Sequence, residues 1–324
     1  GADTCIEGAT VTAAGIPENN LTLEYGTLNL NANQSVSAVT LGDATDGNGN
    51  ATWNIGASYT NLLGGNLTYT ADDGTANTAT ISGGALVFTN GHRTVTVNDN
   101  TSVSGPELTI DSTVGMSGGN YGLLKEGTGT LRLTSSNSFI QLQVREGTVQ
   151  ITDGEAVGAT WNSIYGWDGN DGTLEFVGSS DVTLSQHYKI GRQSATPTGG
   201  GIFKSSLTGG AKAVITGNLN LDGAPQTNRV LTLSGVSTAD NIISGLVRDH
   251  NGVGTIGVVK SEAGKWILSG INTYSDRTTV NGGTLQIGNG GFTGQLPDDA
   301  TVAAGATLAF SRGDNLTVSG TISG

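Results

Sequence analysis

One spaced motif restricts this chain more than any other feature: apolar, x, x, Gly, x, apolar, x, apolar, found six times with the same internal spacing. The copies are Leu23/Gly26/Leu28/Leu30, Leu62/Gly65/Leu67/Tyr69, Ile81/Gly84/Leu86/Phe88, Val144/Gly147/Val149/Ile151, Val214/Gly217/Leu219/Leu221 and Val280/Gly283/Leu285/Ile287. Their origins are separated by 39, 19, 63, 70 and 66 residues. Those intervals lie near multiples of about 21, and a short fixed period of this kind marks a repeat architecture. The glycine is expected to turn a corner between two strands, because it alone takes left-handed or bulged backbone without a Cβ clash. The apolar pair behind it then fills the interior.

Between these corners the chain alternates with period two. Leu21-Thr22-Leu23, Thr94-Val95-Thr96-Val97, Thr130-Leu131-Arg132-Leu133, Thr173-Leu174-Glu175-Phe176 and Val230-Leu231-Thr232-Leu233 each place apolar side chains on one face. No stretch holds the i, i+3, i+4, i+7 spacing of an amphipathic helix without interruption. Short half-buried strands joined by glycine corners predict an all-β fold: a single-stranded right-handed parallel β-helix over residues 1–324, of about 15 rungs and near 70 Å long. A β-sandwich fits less well, since its longer strands are joined by hairpins rather than by one corner repeated at one rung length. Leu28, Leu30, Leu86, Phe88, Val149, Ile151, Leu219, Leu221, Leu285 and Ile287 are expected to point inward, with a loop excursion over 155–172. A single cysteine, Cys5, allows no disulfide within the chain, so core and backbone pairing must hold the fold.

Charge narrows the partners. Fourteen Lys and Arg against 27 Asp and Glu give a net charge of −13. Such a chain cannot supply the basic stripe that neutralises phosphates, which excludes nucleic acid and disfavours anionic membranes. No apolar window is long enough to span a bilayer, so direct membrane insertion by a helix is not expected. No pattern calls for a cofactor or a structural metal.

A longer unit runs from Lys260-Ser-Glu-Ala-Gly264-Lys-Trp-Ile-Leu268 through Asn272-Thr273-Tyr274 to Val280, Gly283, Leu285 and Ile287. This unit, 260–288, resembles the passenger-associated transport repeat of bacterial autotransporters. A looser copy, 125–151, begins at Lys125, has Asn137-Ser138-Phe139 at the turn, and continues to Val144, Gly147 and Val149. Leu296 to Leu308 resembles the usual continuation. The resemblance implies a secreted right-handed β-helix at a bacterial surface, adhesive or structural, and carries over no catalytic residue.

Other motifs are weighed on their context. Gly115-Met116-Ser117-Gly118-Gly119 spells a nucleophile elbow and Gly252-Val253-Gly254-Thr255-Ile256-Gly257 a dinucleotide loop, but neither leads into a helix, and both read as coincidences of a glycine-rich chain. His92, His187 and His250 show no paired ligand spacing. Asp46-Gly47-Asn48-Gly49-Asn50 opens like a calcium loop, yet Ala57 stands where the closing acid belongs. The acidic pairs Asp72-Asp73, Asp298-Asp299 and Asp168/Asp171 read as solvated turns, since adjacent strand residues face opposite ways. Arg312-Gly313-Asp314 spells an integrin-recognition tripeptide at a rung corner, just before an expected strand at Leu316-Thr317-Val318.

The most distinctive segment runs from Trp161 to Asp171, where two tryptophans and a tyrosine concentrate in an aromatic-poor chain. Trp161, Tyr165, Trp167 and Asp168 are the candidate binding residues. The reading is therefore a non-catalytic extracellular or cell-surface β-helix, with a host or neighbouring cell surface or a glycan as partner. Two alternatives stand beside it. One is a subunit of a filament assembled head to tail through its terminal rungs, and the other a β-helix enzyme that processes polysaccharides. Neither end shows a capping helix, so the terminal rungs either continue into further repeats or pair with another copy.

Overall fold

The computed structural model describes residues 3–42, 49–70, 74–159, 161–164, 171–190, 200–221, 228–249 and 254–324, with nothing said of the Trp161 side chain. Among them are 31 strands and one 3-10 turn, Gly154–Val157, with no α-helix. Two compact units emerge: Gly1–Gln143 with Gly147–Ile151 and Glu155–Ala159, and Val144–Glu146 with Thr152–Gly154 and Thr160–Gly324.

In the first unit every registered pairing is parallel, and three ladders carry the core. Leu28, Trp53, Ile81, Ile110, Leu133 and Ile151 stand in successive register on the first. Ile6, Leu23, Leu41, Tyr69 and Val97 form the second. Val36, Leu63, Phe88 and Met116 form the third. Between Trp53 and Ile81 the chain visits Leu63 on the third ladder and Tyr69 on the second before returning to the first. This is the path of a parallel β-helix: each rung alone cannot bury its apolar face, and stacking makes one continuous core.

The second unit is built the same way. Leu174, Phe203, Leu233, Lys260, Val280 and Val302 stack on one ladder. Leu184, Ile215, Ile243, Leu268, Ile287 and Phe310 stack on another. Asn162, Tyr188, Leu219 and Val247 make a third. All ten residues expected to point inward are buried.

Four expectations need correction. First, the rung is not constant: register partners lie 28 residues apart at Trp53 and Ile81, 18 at Leu133 and Ile151, 30 at Phe203 and Leu233, and 20 at Lys260 and Val280. Short rungs occur in the two long repeat units and also near the start, where Ile6 and Leu23 lie 17 residues apart and Leu23 and Leu41 18; the longer rungs carry extra residues between strands. Secondly, the six motifs are not one corner. Leu23-Gly26-Leu28 passes from the second ladder to the first, Leu62-Gly65-Leu67 from the third to the second, and Ile81-Gly84-Leu86 from the first to the third. One chemical solution serves all three corners, so the intervals between copies need not be whole turns.

The glycine's role also differs from expectation. Gly26, Gly147 and Gly283 have positive φ, whereas Gly65, Gly84 and Gly217 do not. What all six share is a backbone carbonyl where a Cβ would sit: 2.4 Å away at Gly26 from Ala9, 2.2 Å at Gly84 from Tyr59, and 1.7 Å at Gly217 from Gln186. The glycine is set by the close approach of the preceding rung. Fourthly, Leu316-Thr317-Val318 is not a strand; the next strand is Ile322–Ser323, paired with Ala300–Thr301.

Candidate functional site

Several repeat residues that are not aliphatic, Lys125, Phe139, Lys260, Asn272 and Tyr274, are directed into the coil. Period two in Ile256-Val258-Lys260 puts Lys260 in phase with the core positions, and its ladder partners are Leu233 and Val280. It is fully buried. Its Nζ donates to the carbonyls of Ser261 at 2.5 Å, Glu262 at 2.8 Å and Gly282 at 3.2 Å. Lys125 repeats the arrangement: buried, in register with Val95, and donating to the Glu126 carbonyl at 2.9 Å and Gly127 at 2.6 Å. Each lysine thus donates to carbonyls of the tight corner that follows it. Burial pushes the Lys260 ammonium down to about 8, with nearby Glu262 opposing the shift.

The asparagine of each unit ties rungs together. Asn272, fully buried, accepts from the Val247 amide at 3.1 Å through Oδ1 and donates to the Gln295 carbonyl at 3.4 Å through Nδ2. Asn137 accepts from the Val114 amide at 2.7 Å and donates to the Ala156 carbonyl at 2.8 Å. An amide group offers a donor and an acceptor at once, so it can join a preceding and a following rung. Two residues on, Tyr274 is buried with its hydroxyl 2.8 Å from Thr278 Oγ1, while Phe139 holds the matching position, buried, without a hydroxyl.

Other candidates prove to be architectural. His92 Nδ1 accepts from the Gly122 amide and His187 Nδ1 from the Asn218 amide, each at 2.9 Å. His250 lies outside the described residues. Ser117 ends the strand Thr113–Ser117, paired with Ala85–Thr89, rather than topping an elbow. Asp299 accepts from the Thr321 amide at 2.7 Å, and Asp298 from the Asp299 amide at 2.7 Å. In the tripeptide, Arg312 grips Asp314 by two hydrogen bonds of 2.7 and 2.8 Å and donates to the Gly294 carbonyl at 2.6 Å. The Arg312 hydrogen bond holds the Asp314 carboxyl below its usual range. The exposed Cys5 thiol is raised by partial burial and by Glu24, whose Oε1 lies 3.7 Å from its Sγ.

Of the candidate binding residues, Trp161 begins the strand Trp161–Ile164, paired in parallel with His187–Ile190 inside the segment expected to loop out. Tyr165, Trp167 and Asp168 lie outside the described residues, as do Asp46 to Asn48 of the calcium-like loop and the pair Asp72-Asp73. The buried lysines and bridging asparagines stood in the repeat pattern without an assigned role. For Lys125 and Lys260, phase with the apolar positions Leu123 and Val258 was the available signal of burial.

Comparison with known proteins places these residues in a wider context. Residues 123–151 and 258–287 match the passenger-associated-transport-repeat family. Over 156 residues, 48% of this chain, the sequence is 37% identical to the adhesin BmaC autotransporter of Brucella suis biovar 1 (strain 1330). The match covers 4% of that protein's length. No solved structure matches the chain. Both matches support an autotransporter passenger domain, and each family match contains one buried lysine, one bridging asparagine and several glycines held against a backbone carbonyl.

Proposed function

We propose that this chain acts as a structural and adhesive β-helix on a bacterial cell surface or secreted from it, and carries out no catalysis. The observation that carries the reading is the use made of the repeat residues. Lys125, Lys260, Asn137, Asn272, Gly147 and Gly283 serve the stacking of rungs, so the family match concerns architecture, and the similar protein is named an adhesin. An extended solenoid offers long solvent-facing ladders on which contacts can be spread. A host or neighbouring cell surface, or a glycan on it, is the partner in this reading, with Trp161, Tyr165, Trp167 and Asp168 as one contact segment.

Beads coated with the chain are expected to attach to cells, and antibody against it to label unpermeabilised producing bacteria. Attachment that survives joint replacement of Trp161, Tyr165 and Trp167 by Ala removes those residues from the contact. Sustained turnover of any member of a polysaccharide panel, abolished by a single Asp→Ala change, overturns the non-catalytic reading.

A further inference from the structure

In the first unit Trp53, Tyr69, Phe88 and Phe139 are fully buried, and Tyr25 and Tyr121 are half-buried. Tyr59 is more exposed than these. It is 36% exposed, and among the described residues of that unit no other large hydrophobic side chain is so exposed. The cause lies in the register. Ile55 pairs with Gly83 and Thr60 with Ala85, so Gly56–Tyr59 stand as a bulge opposite Gly84 alone. A bulge re-aims side chains that regular pleating would direct elsewhere.

Tyr59 stands over a groove of about 490 Å³ that crosses neighbouring rungs, within the ~300–1,000 Å³ usual for small-molecule sites. Gly83, Gly84 and Ala85 line its floor, and Asp111, Thr113 and Ser135 add polar groups from the next rungs. Gly83 and Gly84 are fixed there by the preceding rung: a Cβ would lie 1.9 Å from the Ile55 carbonyl at Gly83 and 2.2 Å from the Tyr59 carbonyl at Gly84. Asp111 Oδ1 accepts from the Thr134 hydroxyl, while Oδ2 takes no hydrogen bond from the described residues.

We infer that this groove is a subsite for a neutral saccharide, with one sugar face on the Tyr59 ring and hydroxyls donating to Asp111. The inference rests on the adhesive reading for its biological setting; of the groove's lining, only Ser135 belongs to a repeat unit. An aromatic face beside a free carboxylate oxygen and small hydroxyls matches a sugar, which has an apolar C–H face and a rim of hydroxyls. The carboxylate, in a chain of net charge −13, selects against anionic sugars.

The test is saturation-transfer NMR on the intact chain with the methyl glycosides of mannose, galactose and glucose, and with N-acetylneuraminic acid as the anionic probe. Saturation transfer to at least one neutral glycoside is expected, with Kd raised about tenfold by Tyr59→Ala and changed less than about twofold by Tyr59→Phe. Asp111→Asn, which keeps an oxygen for Thr134, is expected to weaken binding severalfold. Circular dichroism of each variant checks that the coil is intact. Transfer to none of the neutral glycosides, preference for N-acetylneuraminic acid, or wild-type binding by Tyr59→Ala overturns the inference. The adhesive reading is judged separately by the coated beads: attachment without glycoside binding sinks only this subsite, and glycoside binding without attachment sinks only the adhesive reading.

Discussion

Replacing Gly217 by Ala isolates the reason for the corner glycine, because this position has no positive φ to confound the result. An added Cβ would stand 1.7 Å from the Gln186 carbonyl oxygen and 2.4 Å from its carbon. Real Cβ atoms essentially never come within 3.0 Å, so the two rungs must part by more than 1 Å at this corner. The hydrogen bonds that join them there are short: Thr216 N to Leu184 O at 2.8 Å, Tyr188 N to Asn218 O at 2.9 Å, and Asn218 N to His187 Nδ1 at 2.9 Å. Losing two of the three costs about 2 kcal/mol at ~1 kcal/mol each, and overpacking strain adds about 1–3 kcal/mol. The expected destabilisation is about 3–5 kcal/mol. Gly291→Ala is the control, since nothing lies within 4 Å of its Cβ and its φ is ordinary; a change within about 1 kcal/mol is expected there. Native-state hydrogen exchange reads the local opening energy, and the amides of Tyr188 and Asn218 should lose protection in Gly217→Ala. If both variants cost less than about 1 kcal/mol, the close-approach explanation is wrong.

Lys260→Met removes the donor from three corner carbonyls and should cost about 2–4 kcal/mol in denaturant unfolding at pH 7. The native ammonium is depressed to about 8 and an unfolded lysine titrates near 10.4. Between these values the unfolded chain binds more protons, so the Lys260 contribution to stability rises with pH from about 8 to about 10.4. That slope should vanish in Lys260→Met, and the difference between the two proteins cancels the titration of all other groups. Asn272→Ala leaves the buried Val247 amide without its acceptor; a loss of about 1–3 kcal/mol is expected, and faster exchange at Val247 identifies the cause. Tyr274→Phe removes only the hydroxyl contact with Thr278 and should cost about 0.5–1.5 kcal/mol by thermal unfolding, the arrangement Phe139 already has in the other unit. Because Arg312 and Asp314 hold each other, Asp314→Asn should leave integrin-dependent cell attachment to coated surfaces unchanged; a loss would show that the tripeptide opens to a receptor.

The inward faces were legible because strand pleating is local. Alternation along five residues fixes which side chains share a face, and Leu28, Leu30, Leu86 and Phe88 could be assigned inward without knowing their neighbours. The same parity held the answer for Lys260, two residues beyond Val258, but a charged residue at a core position makes sense only when its carbonyl partners are known. One of those partners, Gly282, lies 22 residues away. The candidate sites were less legible still. Trp161 drew attention by composition and belongs to a paired strand, whereas Tyr59 gave no local sign, since its exposure follows from a three-residue register shift that sets four residues opposite Gly84. Alternation and glycine spacing determined by themselves that the chain coils as stacked parallel strands. Only the tertiary structure decided how many residues each turn takes, which ladder each motif joins, and why the glycine is there. The reason is that the glycine answers to the rung behind it: the carbonyl that forbids a side chain at Gly217 belongs to Gln186, 31 residues earlier.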